Sequence, residues 1–128
     1  MTLNHEILAF RRSESLTLQI FQATDRFPKQ APPALVHRLR QLTSNITDSI
    51  LDGCARHHRE AAESSWNTAL KLLEALADGI DEADGRGLLD PDTVLQLLQS
   101  QSATWVEVLC MVREADPSRF RDQDSRAA

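Results

Sequence analysis

The sequence predicts an all-α protein, an antiparallel up-and-down four-helix bundle, and three observations carry that reading. Only four Gly and five Pro interrupt 128 residues, so the elements must be long. Apolar residues recur at alternating steps of three and four, the signature of one buried helix face. The segments between these runs are short, which makes consecutive helices antiparallel neighbours.

The first helix is expected from about Asn4 to Asp25, with Asn4 as N-cap, Glu6 in its first turn and the Arg26-Phe27-Pro28-Lys29 cluster as its end. Its pattern is the least regular. Ile7, Phe10, Thr17, Ile20 and Phe27 form one stripe and Leu8, Leu18 and Phe21 another, which predicts two buried faces. The second helix opens at Pro32-Pro33, since proline's fixed φ suits a first helical position. Leu35, Leu39, Leu42, Ile46, Ser49 and Gly53 follow in 4-3-4-3-4 steps, supported by Ile50, and Gly53 reads as the residue that ends the helix.

The third helix resumes after a junction at Cys54-Ala55-Arg56. Ala62, Trp66, Ala69, Leu73, Leu76 and Ile80 repeat the rhythm, and the Asp84-Gly85-Arg86-Gly87 turn stops it. The fourth has the strongest start signal, Asp90 as N-cap before Pro91, and a seam of Val94, Leu98, Gln101, Trp105, Val108 and Val112. Gln101 either bonds across the bundle or lies near its open end. The expected core is therefore Leu35, Leu39, Leu42, Ile46, Ile50, Trp66, Ala69, Leu73, Leu76, Ile80, Leu98, Trp105 and Val108. One domain over residues 1-113 is expected, followed by a frayed tail over 114-128, where Pro117 and alternating Arg and Asp leave no stripe.

Composition narrows the class further. No apolar run approaches the ~20 residues of a membrane span and no signal peptide is evident, so a cytoplasmic protein with no membrane partner is expected. Cys54 and Cys110 are too few and too far apart for a disulfide framework and read as reduced thiols. The net charge of −5 is uneven: residues 60–84 hold one lysine against seven carboxylates, whereas residues 32–59 are net basic.

Most catalytic classes lack their anchors. None of the eight Glu residues has His three places later, as a di-iron bundle requires. The chain has no Gly-x-Ser-x-Gly elbow and no phosphate-binding glycine loop, so no catalytic residue, cofactor or metal is assigned. Cys54, His57 and His58 form a partial zinc pattern, kept as a less favoured metal-binding alternative. Asp48 and Asp52, one turn apart, and the run Glu74, Asp78, Asp81, Glu82 and Asp84 read as solvated faces. The constellation with functional promise is basic: Arg38 and Arg40 on the second helix, and Arg56, His57, His58 and Arg59 at the next junction, a candidate contact for an anionic partner. Leu72, Leu95, Leu109 and the second stripe of the first helix lie outside the inner seam, which predicts outward apolar surface and self-association. The basic second helix and the acidic third also permit a head-to-tail contact between copies.

Several pieces in order carry a family resemblance: Phe27-Pro28-Lys29, Leu39-Arg40, the Ile46, Ile50, Asp52 and Gly53 run, and Gly87-Leu88-Leu89. Over about residues 7 to 112 the chain resembles the bacterial four-helix bundles encoded in intervening sequences of large-subunit ribosomal RNA genes. The related accessory variability determinant (Avd) proteins of diversity-generating retroelements belong to the same family. The family's paired arginines stand here as Arg40-Gln41, and its Asn as Ser49. The resemblance implies a homo-oligomer, a five-membered ring, without catalytic activity. It also implies binding of RNA or DNA and, in the Avd branch, of a reverse transcriptase. The alternative is a protein-partner scaffold that binds no nucleic acid.

Overall fold

The computed structural model describes residues 2–113, and the side chains of residues 5–113 within them; the segment expected as a tail lies outside the described residues. Four helices follow in order, α1 (Thr2–Asp25), α2 (Pro33–Ala55), α3 (Arg59–Gly85) and α4 (Pro91–Arg113). Each packs on its sequence neighbours, and α1 closes the ring against α4. Thr47 on Ser13 and Arg40 on Thr24 show α1 and α2 running in opposite directions. Ser65 on Asp52 and Arg38 on Glu82 do so for α2 and α3, and His5 on Glu107 with Ser100 on Gln19 for α1 and α4. The bundle is therefore antiparallel throughout.

The helix ends follow local chemistry. Asp90 caps α4: its carboxylate accepts the Thr93 backbone N–H at 2.8 Å and the Thr93 hydroxyl at 2.9 Å. Gly87, at φ 74°, closes α3, with its own N–H bonded to the Asp84 carbonyl and that of Leu88 to Ala83. Two expected ends are corrected. α1 begins at Thr2, so Asn4 lies inside its first turn and Glu6 in the second. α2 runs past Gly53 to Ala55 and ends where Arg56 turns extended, because Gly53 serves a different purpose.

That purpose is packing. A Cβ on Gly53 would fall within the Trp66 indole, which lies fully buried against α2 and donates its N–H to the Ile50 carbonyl at 3.4 Å. Gly79 on α3 is the counterpart, for its Cβ would meet Leu39 Cδ2 at 2.7 Å. Each helix thus inserts a large side chain over a glycine of the other.

The α3 line is buried as the spacing predicts, from Ala62 through Ile80. Elsewhere the core line is rotated. On α1 it is Glu6, Ala9, Ser13, Leu16, Ile20 and Ala23, so Ile7, Leu8, Leu18 and Phe21 are exposed and Phe10 and Thr17 half-buried. On α2 Thr43 takes the place expected for Leu42, and Ser49 is half-buried. On α4 the line is Leu97, Gln101, Thr104, Val108 and Met111, with Val94, Leu98, Trp105 and Val112 half-buried at its margin. The reason is common to all three. Ser13, Thr43 and Thr104 bury their hydroxyls by donating to carbonyls one turn back on their own helices, at 2.7–2.8 Å, so a nominally polar residue fills a core position. Gln101 resolves in favour of the cross-bundle bond, its amide donating to the Leu73 carbonyl of α3 at 2.9 Å.

The two kinds of glycine make a paired prediction. Gly53→Ala forces a methyl into the indole and should destabilise the fold by about 2–3 kcal/mol, as overpacking does. Gly85→Ala meets nothing within 4 Å, has no left-handed φ, and should be neutral or stabilising by up to ~1 kcal/mol. Urea midpoints of the two variants check both.

Candidate functional site

The basic residues singled out in the sequence do not form one patch. Arg38 and Arg40 sit towards the end of the bundle where α1 joins α2. Arg56, His57, His58 and Arg59 lie at the other end, 16 residues further along from Arg40 and so about 24 Å away.

Nor do the four arginines point unpaired into solvent. Arg38 donates to Glu82 at 2.6 Å. Arg40 donates to the Thr24 hydroxyl at 2.9 Å and to Asp25 at 2.7 Å, and its guanidinium stands 4.8 Å from the centre of the Phe21 ring. Arg56 holds Asp52 through two nitrogens, with Ser65 donating to the same carboxylate, and Arg59 faces Glu63 at 3.7 Å. His57 and His58 are exposed in the three-residue junction. Arg38 on Glu82 thus joins the basic α2 to the acidic α3 within the chain.

These pairings set the carboxylates. The Ser65 hydroxyl, and then Arg56, hold Asp52 below its ordinary range. Arg38 chiefly, then Arg86, does the same for Glu82, and the Thr93 backbone N–H and hydroxyl for Asp90. The remaining acidic residues of the α3 run, Glu74, Asp78, Asp81 and Asp84, are exposed.

No three His, Cys, Asp or Glu side chains among the described residues come together as a metal site. Cys54 packs against the core while His57 and His58 lie beyond the helix end. Trp66 is sealed inside and has no ring face open for base stacking, and Trp105 is half-buried against the core.

Sequence reasoning missed a groove between α1 and α2, lined by Glu14, Thr17, Leu18 and Phe21 from one and Ser44, Thr47 and Asp48 from the other. Its lining residues sit about 30 positions apart, so only the pairing of the helices reveals it. Leu18 in its lining is 59% accessible, and Ile7 on the same helix 44%. On the far side of the bundle Leu95 is 58% and Val106 53% accessible, flanked by the half-buried Leu98, Trp105 and Leu109.

The fold and surface together define an all-α four-helix bundle with two outward apolar strips. No helix among the described residues is long and apolar enough to cross a membrane. No model of a known protein family and no curated protein matches the chain.

The lowered carboxylates predict a pH dependence. Asp52, Glu82 and Asp90 each bind a proton less readily in the folded state, so their contribution is present at neutral pH, above the unfolded value near 4. It is lost as pH falls through and below that value. Urea midpoints should decline on acidification below about pH 4.5, and less steeply when Asp52 and Asp90 are both replaced by Asn.

Proposed function

We propose that the chain is a non-enzymatic, homo-oligomeric four-helix bundle that works as an assembly and binding module and meets other protein surfaces, its own copies first. The observation that carries this reading is the uncovered apolar surface on two helices: Ile7, Leu8, Leu18 and Phe21 on α1, and Leu95 and Val106 on α4. A bundle of this size has already buried a continuous core, so strips of this kind gain most from contact with another protein.

The internal pairing of Arg38, Arg40, Arg56 and Arg59 favours the protein-contact version over nucleic-acid binding. Those carboxylates compete with phosphates for the same guanidinium groups, and the net charge of −5 opposes the approach. The family likeness adds a five-membered ring and, from its retroelement branch, a reverse transcriptase as a further partner. A cytoplasmic setting belongs to the same proposal, with Cys54 and Cys110 as reduced thiols.

Light scattering coupled to size-exclusion chromatography tests the proposal. An assembly, of five chains if the family likeness extends to stoichiometry, is expected for the natural chain. Leu95→Glu combined with Val106→Glu should shift it towards smaller species while retaining helical content. A folded monomer at every concentration would overturn the reading. Stoichiometric protein at low salt should leave RNA and DNA mobility unchanged; retardation that is lost in Arg40→Glu or Arg56→Glu would restore the nucleic-acid alternative.

A further inference from the structure

The outer face of α1 carries a pattern complementary to itself. Ile7, Arg11, Glu14 and Leu18 follow in 4-3-4 steps, which places all four on one stripe of the helix. All four are exposed. Among the described residues neither Arg11 nor Glu14 enters the ion pairs that hold the other arginines and Glu82. The stripe reads apolar, positive, negative, apolar.

We infer that this stripe docks on the same stripe of a second copy, antiparallel about a two-fold axis that passes between residues 12 and 13. This specifies the α1 contact within the assembly proposed above and rests on that reading. In this alignment Ile7 lies opposite Leu18 of the second copy and Arg11 opposite Glu14, and each pairing recurs by symmetry. Apolar contact at the two ends supplies the attraction, and the two charge pairs at the centre fix direction and register.

The alternatives fit less well. A parallel pairing sets Arg11 against Arg11 and Glu14 against Glu14, which repel. The apolar strip on α4, formed by Leu95, Leu98, Trp105, Val106 and Leu109, offers no charge, so docking it on α1 would cover Arg11 and Glu14 without partners. The groove strengthens the antiparallel solution. Asp48 of α2 lines it together with Glu14, so an incoming Arg11 meets two carboxylates. A two-fold contact makes the number of chains even: two for the pair alone, or ten if a five-membered ring is doubled.

Charge reversal tests this on the intact chain, with sedimentation or light scattering across a dilution series as the readout and circular dichroism to verify folding. Arg11→Glu should weaken association by roughly tenfold or more, because it sets a carboxylate against two others. Glu14→Arg should weaken it less, since Asp48 remains to receive Arg11. The double variant, Arg11→Glu with Glu14→Arg, should recover most of the loss, because the swapped charges still face each other across the axis. Single variants that associate like the natural chain, a double variant no better than the singles, or a natural assembly of five chains rather than an even number would overturn the two-fold contact while leaving assembly standing. A natural chain that stays monomeric would remove both.

Discussion

The close approach of α2 and α3 is the constraint on which the rest of the bundle depends. Trp66 lies over Gly53 and Leu39 over Gly79, one large side chain from each helix set into a notch of the other. The notches stand at opposite ends of the pair, so together they fix both its separation and its register. Trp66 also brings its indole N–H, which the Ile50 carbonyl accepts, so the largest buried side chain adds no orphaned donor to the interior. With α2 and α3 held in this way, α1 and α4 complete the ring, Leu16, Ile20, Leu97 and Met111 filling the interior between Ala9, Ser13 and Thr104.

The sequence made the helices legible wherever the chemistry is local. Asp90 before Pro91, Gly87 in the closing turn and Pro33 at a first position each act within a few residues, and each stands where its local role places it. The α3 line was legible because all its members are apolar or small. On α1 and α4 the reading slipped by part of a turn, since larger apolar residues, Phe10 on one and Leu98 and Trp105 on the other, were given the core while Ser13 and Thr104 were passed over. A buried hydroxyl that bonds to its own helix reverses that assignment, and no apolar spacing registers it. Gly53 shows a different limit: a glycine near a helix end reads as a stop, and only the indole from 13 residues further on reveals the notch.

The candidate site was legible as a list of arginines but not as a set of pairings. Spacing placed Arg38 and Arg40 together, yet it gave no account of Glu82, 44 positions away, or of Asp25 on the preceding helix. Once the helices align, each of the four arginines has a carboxylate partner within the fold. The face left over is apolar rather than cationic, so the functional reading moves from an anion to a protein surface. Phe21 links the two aspects: it lies under the Arg40 guanidinium and also lines the groove beside α1.

The bond from the Gln101 amide to the Leu73 carbonyl restricts how this bundle can move. Sliding α4 past α3 by a turn would strand a polar amide in an apolar interior, at a cost of about 1–3 kcal/mol before any packing is lost. The piston and ratchet motions open to bundles with wholly greasy seams are thereby suppressed. That single polar contact gives α4 one preferred axial position against α3, so the pair is locked in register by an amide where an all-apolar seam would leave several offsets nearly equal.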